Sequence, residues 1–268
     1  MQEVKKYPAG TFSWVDLMTT DAAGAKQFYT ELMGWTVHDI PMGPDSFYTM
    51  LQLEGLDVAA LSQMGAEQQA QGMPPVWNSY VSVENADESA EKAAAAGGTV
   101  MMAPFDVYDS GRMAVVQDPT GAVFSMWQAK SHIGAKLVNI PGALAWNELA
   151  TKDVARAKLF YGQLFGWEFQ TQEVSPGMEY TSIMNNGRSN GGIMQMSEEW
   201  GDVPAHWRVY FSVTDCDASV KKAKSLGATV RVPPQDIPDV GRFSIIQDPQ
   251  GASLTLMKLL RHDPPPGA

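Results

Sequence analysis

Two carboxylates of the sequence follow a tryptophan at a spacing of two residues, Asp16 after Trp14 and Glu148 after Trp146. Both pairs lie in segments whose alternating residues predict β-strands, so the side chains of each pair project from one face of a sheet. A carboxylate held among aromatic rings keeps its proton to a higher pH, which suits a general base. Asp16 and Glu148 are therefore candidate catalytic residues. The competing interpretation for Glu148 is a salt bridge with Arg208.

The segments that carry these residues occur twice in the chain. Residues 14–35 and 146–167 share 12 identities in 22 positions at an offset of 132, and residues 111–122 and 241–252 share 7 in 12 at an offset of 130. The chain is therefore internally duplicated, with a two-residue deletion in the second copy that a hairpin tip would tolerate. The predicted organisation is a first module over residues 1–130, a linker over 131–141, a second module over 142–261 and a flexible tail over 262–268.

Within each copy the hydrophobic period changes in a fixed order. A strand pattern is followed by Asp21, a typical helix-capping residue, and by an apolar stripe with helical spacing that ends at Gly34. Three further strand patterns follow, and then the same order restarts, with Asn85 and Glu88 at the second helix start. The sequence thus predicts an α+β fold of four β-α-β-β-β units, two in each module.

Composition and charge narrow the classes of function. The 268 residues carry a formal net charge of −11, which disfavours nucleic acid and membrane surfaces as partners. A single cysteine, Cys216, excludes an internal disulfide and fits a reducing compartment. No apolar run is long enough for a secretion signal or a membrane span. We expect a cytoplasmic protein whose partner is a small apolar or aromatic molecule.

Several motifs together carry a resemblance to a known family. The helices that follow Asp21 and Asp153 each contain a Phe-Tyr pair and end in Gly-Trp, and a Gln-Asp-Pro-x-Gly motif occurs at 117–121 and 247–251. Over nearly the whole chain the sequence resembles the vicinal oxygen chelate superfamily, which includes glyoxalases, bleomycin resistance proteins and extradiol dioxygenases. It is similar in particular to tandem two-module glyoxalase-like proteins. The resemblance implies that paired units curl antiparallel sheets into two cups, whose concave faces hold a metal and a bidentate oxygen substrate.

The resemblance also implies six metal-ligand positions, and none of them carries its usual residue. They fall on Trp14, Asn78 and Ser125 in the first copy and on Trp146, Arg208 and Thr255 in the second. An indole or a guanidinium offers a metal no lone pair, and amides and hydroxyls are poor ligands for iron, nickel or zinc. The sequence therefore predicts no metal and no cofactor.

The four histidines do not supply an alternative metal site. His38 is predicted at a strand edge, His132 in the linker and His262 in the tail, each as a solvated residue. Only His206, two residues before Arg208, could face a cup, and one histidine does not hold a catalytic metal by itself.

Alternation along the strands adds aromatic and thioether side chains to each cup, a composition typical of small-molecule pockets. The predicted ligand-binding residues are Trp14, Asn78, Tyr80, Ser125, Trp127, Trp146, Glu148, His206, Arg208, Tyr210, Thr255 and Met257. Trp35 and Trp167 are predicted in the core, Cys216 as structural, and Arg112 and Arg242 as supports for the Asp-Pro turns or as contacts for a ligand anion.

Three functions remain open from the sequence. The first is a glyoxalase-like small-molecule-binding protein that lacks the usual metal ligands and has no assigned reaction. The second is a lyase or dioxygenase-type enzyme with a non-standard site. The third is a non-catalytic interaction scaffold whose cups are filled by side chains. We also expect a monomer with internal pseudo-twofold symmetry, or a weak homodimer, since a duplicated module can bury a face against its twin.

Overall fold

A computed structural model describes residues 2–44, 46–175 and 177–267, and it contains the predicted units in the predicted order. The first module consists of β1 Phe12–Thr19, α1 Ala22–Met33, β2 Thr36–Gly43, β3 Ser46–Leu53, β4 Leu56–Gln63, α2 Ala66–Ala70, β5 Val76–Ser82, α3 Ala86–Ala95, β6 Thr99–Val107, β7 Gly111–Gln117 and β8 Val123–Ala129. The second consists of β9 Leu144–Thr151, α4 Val154–Phe165, β10 Glu168–Ser175, β11 Met178–Asn185, β12 Arg188–Gln195, a 3₁₀ turn Glu198–Trp200, β13 His206–Ser212, α5 Cys216–Ser225, β14 Thr229–Ile237, β15 Gly241–Gln247 and β16 Ser253–Leu259.

Each module forms one eight-stranded sheet. The strand orders are β2-β3-β4-β1-β5-β8-β7-β6 and β10-β11-β12-β9-β13-β16-β15-β14, so the two sheets have the same topology. The expected antiparallel pairing holds except where each unit's first strand meets its last, because β1–β4, β5–β8, β9–β12 and β13–β16 are parallel. The duplication and the α+β fold predicted from the sequence are confirmed.

Local sequence signals determine where the long helices begin and end. Asp21 accepts a hydrogen bond from the Gly24 amide at the start of α1, and Gly34 ends the helix in the left-handed conformation, with φ of 74°. Ala25, Phe28, Tyr29 and Leu32 form the buried face of α1, as their spacing predicts. At α3, the Asn85 side chain accepts from the Asp87 and Glu88 amides, which satisfies two orphan donors of the first turn.

The convex faces of the two sheets pack against each other, and each is covered by helices of both modules. One buried cluster joins α1 and β4 of the first module to β13 and α5 of the second, whereas the other joins α4 and β12 to β8 and α3. The apolar core therefore lies between the modules.

The same hydrogen bonds occur twice across this interface. The Tyr29 hydroxyl donates to Asp248 at 2.8 Å, and the Tyr161 hydroxyl donates to Asp118 at 2.8 Å. The indole of Trp35 donates to the Gly142 carbonyl at 2.7 Å and that of Trp167 to the Gly10 carbonyl at 2.8 Å. Each contact joins a helix motif of one copy to a turn or strand start of the other, as a pseudo-twofold arrangement requires.

This interlocking leads to a prediction for the separated modules. We expect each half, expressed alone, to self-associate or to unfold in less urea than the intact chain, because its convex face would expose Phe, Trp and Tyr side chains and leave the Asp118 or Asp248 carboxylate without its tyrosine. Analytical ultracentrifugation and urea unfolding measure the two properties. Two monomeric halves as stable as the whole protein would contradict the prediction.

Two details of the chain's organisation differ from what the sequence indicates. The two-residue deletion is not at a hairpin tip but in the connection between units, residues 64–75 in the first module and 196–205 in the second. There a 3₁₀ turn with Trp200 replaces helix α2. No helix in the described ranges is both long enough and apolar enough to cross a bilayer.

Candidate functional site

The predicted cup residues lie on the central strands of each sheet, and the strand register brings them together. In the first module Trp14 lies opposite Tyr80, Asp16 opposite Asn78, and Tyr80 beside Ser125. In the second module the corresponding pairs are Trp146 with Tyr210, Glu148 with Arg208, and Tyr210 with Thr255. Alternation along these strands therefore predicts correctly which side chains share the concave face.

In the first cup, Asp16 is enclosed by hydrogen-bond donors. One carboxylate oxygen accepts from the hydroxyls of Tyr80 at 2.8 Å and Tyr48 at 3.0 Å, and the other accepts from the amide of Asn78 at 2.9 Å. Asp16 is only 6% exposed, and no cation pairs with it among the described residues. Burial raises the pKa of Asp16, and the three hydrogen bonds oppose this effect only in part. The cage can hold either a buried carboxylate or a protonated acid.

Trp14 and Trp127 close this cup together with His132. The His132 ring packs edge-on against Trp14 at 4.6 Å, and the Trp127 indole donates to the His132 carbonyl at 2.8 Å. The prediction that His132 is a solvated linker residue is therefore wrong. The chain returns across the cup after β8, and burial of the ring lowers the pKa of His132. Its Nε2 atom is buried and has no hydrogen-bond partner among the residues that the structure describes.

In the second cup, Arg208 replaces the neutral Asn78. The guanidinium Nη1 lies 3.3 Å from Glu148, and the Tyr210 hydroxyl donates to the same carboxylate oxygen at 2.8 Å. Both members of the ion pair are buried, at 5% exposure for Glu148 and 7% for Arg208. The salt bridge that the sequence offers as the competing interpretation for Glu148 is present. Of the five guanidinium N–H groups of Arg208, one donates to Glu148.

The second cup is also more open than the first. Trp146 is half-buried, whereas its counterpart Trp14 is 3% exposed. The Trp146 indole donates to the Tyr180 hydroxyl at 2.9 Å, and Trp200 of the 3₁₀ turn lies over the Arg208 guanidinium at 5.5 Å. His262, the counterpart of His132, is exposed and does not cover this cup.

Two small features complete the second cup. The hydroxyl of Thr255 is buried and, in the described part of the chain, has no hydrogen-bond partner. Gly192 lies below Tyr180, where a Cβ atom would stand 1.9 Å from the tyrosine hydroxyl, so only glycine leaves room for that ring. Met257 is buried on β16, and His206 is half-buried, with Nδ1 2.8 Å from the Pro204 carbonyl oxygen.

The chain matches a family model once in each module. The Glyoxalase/Bleomycin resistance protein/Dioxygenase superfamily is matched over residues 11–126 and again over residues 143–256. The chain belongs to this superfamily.

Relatives extend over almost the full length of this glyoxalase-superfamily chain. It is 44% identical to the putative glyoxylase CFP32 of Mycobacterium tuberculosis (strain CDC 1551 / Oshkosh), with 96% of this chain and 98% of the relative covered. It is 33% identical to the anthracycline biosynthesis protein DauV of Streptomyces sp. (strain C5), with 95% of each covered.

Solved structures of the glyoxalase superfamily share the fold. The Mn(II)-bound glyoxalase from Novosphingobium aromaticivorans has a TM-score of 0.63 at 16% identity, with 96% of this chain and 84% of that one covered. The 2,3-dioxygenase LapB from Pseudomonas sp. KL28 has a TM-score of 0.66 at 10% identity, with 98% and 96% covered. At these identities the likeness concerns the fold alone.

The cup residues of this glyoxalase-superfamily chain do not fit a divalent metal. The ring nitrogens of Trp14 and Trp146 donate hydrogen bonds to tyrosine hydroxyls, and the Asn78 amide donates to Asp16. The Arg208 guanidinium would repel a cation placed beside Glu148. Within the described part of the chain, no cluster of three His, Cys, Asp or Glu side chains is placed to hold a metal ion.

From this donor set we predict that the purified protein carries no stoichiometric iron, nickel or zinc. The physical reason is that, within residues 2–44, 46–175 and 177–267, each cup offers a single carboxylate, whereas such metals require several imidazole, carboxylate or thiolate donors converging on one point. Elemental analysis of the protein before and after treatment with a chelator is the measurement. One metal ion per chain that survives the chelator would contradict the prediction.

The other residues singled out in the sequence lie away from the cups. Arg112 pairs with Asp87 at 2.7 Å, and Arg242 pairs with Asp217 at 2.6 Å, each at the first turn of a helix. The prediction that these arginines support the Asp-Pro turns is therefore wrong, and their contact with a ligand anion stays a prediction. Cys216 is buried, and burial raises its pKa to about 11, in keeping with a structural role.

The sequence reasoning missed four cup residues: Tyr48, Tyr180, Trp200 and His132. Tyr48 and Tyr180 lie at matching positions on β3 and β11, and the repeat could have revealed them as a conserved pair within the chain. Trp200 and His132 lie in connections, and their positions depend on how the chain folds back across each cup.

Proposed function

We propose that this protein binds a small aromatic compound carrying adjacent oxygen atoms, and that the second cup is the binding site. The observation that carries the proposal is Arg208, a buried guanidinium with one N–H group engaged with Glu148. Other N–H donors of this guanidinium can bind carbonyl, phenol or carboxyl oxygens of a ligand. Arg208 thereby provides positive charge at a position where the superfamily resemblance implies a metal ligand.

The walls of this cup suit a flat ring system. Trp146 and Tyr180 are half-buried and hydrogen-bonded to each other, so their rings are held in place before a ligand arrives. Trp200 covers Arg208 from the connection between units. Aromatic walls with few, oriented polar groups are typical of small-molecule sites, and preorganised rings reduce the entropy lost on binding.

The names of the relatives agree with this class of ligand. One relative is a putative glyoxylase, and another is an anthracycline biosynthesis protein. Anthracyclines are oxygenated polycyclic aromatic compounds, which aromatic walls and a guanidinium can both recognise. We therefore propose an oxygenated polycycle or a similar planar molecule as the ligand, without metal chelation.

Alizarin, a planar dihydroxyanthraquinone, is a suitable probe, with anthraquinone as the matched compound that lacks the two adjacent hydroxyls. Binding is measured in the presence of a chelator by quenching of tryptophan fluorescence and by thermal shift. We expect Arg208→Ala to weaken alizarin binding by about tenfold or more, through loss of a charge-assisted hydrogen bond, and Trp146→Phe to weaken it by a smaller factor.

The first cup supplies matched controls. Asn78→Ala and Trp14→Phe alter the corresponding positions of the closed cup and are expected to leave alizarin affinity unchanged. Equal binding of alizarin and anthraquinone, or unchanged binding in both second-cup variants, would contradict the proposal and favour the interaction scaffold.

The position of Glu148 supports a second candidate, an enzyme that moves a proton on such a ligand. Its carboxylate is held by Tyr210 and Arg208 in the more open cup. Glu148→Gln separates the two functions, because the amide still accepts from Tyr210 but cannot serve as a base at neutral pH. A pure binding protein would show no turnover in the wild type or in the variant. An enzyme would turn the ligand over in the wild type, and the variant would lose turnover but keep binding.

A further inference from the structure

A cleft of about 100 Å³ lies between the two modules, beside the second cup, with which it shares Trp146. Its walls come from residues 8–12 of the first module, residues 138–147 at the start of the second, the β11–β12 turn region 185–190, and Asp263 and Pro266 near the C-terminus. This volume is large enough for a molecule several times the size of water.

The corresponding place in the first module is filled by the chain itself. The amide of Ala135 donates to the Ser13 carbonyl at 2.8 Å, and the amide of Lys136 donates to the Asp57 carbonyl at 2.7 Å. Gly134 approaches so closely that a Cβ atom there would stand 2.2 Å from the Ser13 carbonyl oxygen. Ser13 is fully buried as a result.

In the second module, the chain cannot fill the corresponding cleft with its own backbone in the same way. At the offset of 130, residues 133–136 correspond to Asp263, Pro264, Pro265 and Pro266. Proline has no amide hydrogen, so this tail cannot donate to Ala145 and Ser189, the counterparts of Ser13 and Asp57. Ala145 remains half-buried and Ser189 exposed. Arg188 instead holds the tail at the rim, through a 2.6 Å bond to the Pro264 carbonyl.

The residues that line the cleft in the second module also differ in type from their counterparts in the first module. Three apolar residues of the first module, Val15, Leu53 and Val58, correspond to Asn147, Asn185 and Asn190 in the second. The first module shows that the fold does not require amides at these positions. Burying an amide costs free energy unless its hydrogen bonds are satisfied, so each of these three amides needs a partner in the protein or in a ligand.

Among these three amides, Asn147 gives the most direct indication of a ligand. It is 2% exposed and lines the cleft, and its carbonyl oxygen accepts from Ser79 at 2.7 Å. Its amide nitrogen has no hydrogen-bond partner within the ranges that the structure describes. By contrast, the amide nitrogens of Asn185 and Asn190 donate to the Ala9 and Gly10 carbonyls at 2.9 Å.

We propose that this cleft binds a small neutral polyhydroxylated molecule of the size of a monosaccharide. Amide side chains both donate and accept hydrogen bonds, which matches hydroxyl groups, and Phe12 and Leu144 supply an apolar surface for the C–H face of such a ring. The ligand is neutral because the arginine at the cleft, Arg188, already binds the tail carbonyls and Asp263 is exposed at the rim. The cleft shares Trp146 with the second cup, but its amide lining does not depend on the function proposed for the cups.

The test uses the full chain and three probes, D-glucose, D-galactose and myo-inositol, with glucose 6-phosphate as a charged comparison. Isothermal titration and saturation-transfer NMR measure binding. Two variants form a matched pair, Ser79→Ala and the double variant Ser79→Ala with Asn147→Val, which differ only in the amide at the cleft. A third variant, Ala145→Leu, narrows the cleft at a half-buried lining position.

We expect saturable binding of at least one neutral probe to the wild type and to Ser79→Ala. The double variant and Ala145→Leu are expected to lose about tenfold or more in affinity. Absence of saturable binding for all three neutral probes would overturn the proposal, as would equal affinity in the matched pair together with unchanged binding in Ala145→Leu. Preference for the phosphorylated sugar would overturn the assignment of a neutral ligand.

Discussion

The protein is expected to unfold in one cooperative step when the pH is raised above the ordinary tyrosine pKa of about 10. Seven of its eight tyrosines have a raised pKa in the folded state, and burial is the main cause in every case: Tyr7, Tyr29, Tyr48, Tyr80, Tyr161, Tyr180 and Tyr210. For all of these except Tyr7, a neighbouring aspartate or glutamate raises the pKa further.

The direction of the effect follows from proton linkage. Above pH 10 the unfolded chain loses phenolic protons that the folded chain retains, so the folded state binds more protons and its stability falls as the pH rises. Each such tyrosine costs about 1.4 kcal/mol for each pH unit above its unfolded pKa. At about pH 11 the seven together cost on the order of 10 kcal/mol, which is comparable to the whole stability of a folded domain.

The measurement is a pH titration followed by circular dichroism and by tyrosinate absorbance. The two signals should change together and steeply, since the buried phenols ionise only as the chain unfolds. Tyr108, which is 70% exposed, supplies the matched control, and Tyr108→Phe should leave the midpoint unchanged. Gradual ionisation with retained dichroism up to about pH 12 would show that the phenols are accessible in the folded protein.

Replacing Arg208 with methionine is expected to destabilise the protein by about 3–5 kcal/mol. The variant keeps most of the side-chain volume but leaves Glu148 buried at 5% exposure without its cation. A buried carboxylate without a cation needs several hydrogen-bond donors, as the first cup shows. There Asp16 accepts hydrogen bonds from Asn78, Tyr48 and Tyr80. Methionine offers no such donor.

The double variant Arg208→Met with Glu148→Gln is the matched control for this effect. It removes both charges and keeps an acceptor for the Tyr210 hydroxyl, so most of the lost stability should return. Urea unfolding of the wild type, the single variant and the double variant measures the coupling. If Arg208→Met alone lay within about 0.5 kcal/mol of the wild type, the carboxylate would be solvated and the second cup would be wetter than its burial indicates.

Strand alternation was enough to identify most of the cup residues. It placed Trp14 with Asp16, and Glu148 with Arg208, because side chains two residues apart on a strand must share a face and because the repeat aligns the two modules. It did not identify His132 or Trp200, since their positions depend on how connections between elements cross the cups. No periodic pattern encodes such a crossing.

The sequence by itself determined the local features of this protein: the four units, their helix caps, the duplication, and the residue types at the implied metal-ligand positions. These follow from residues close together in the chain or from direct comparison of the two copies. Only the tertiary structure decided how the copies interlock, with Tyr29 bound to Asp248 and Tyr161 to Asp118 over separations of 219 and 43 residues. It also decided that one cup is closed by His132, and that the cleft beside Asn147 remains open because the proline tail has no amide hydrogens to donate. The physical reason is that packing and hydrogen bonding between distant segments depend on three-dimensional proximity, which the order of residues along the chain does not display.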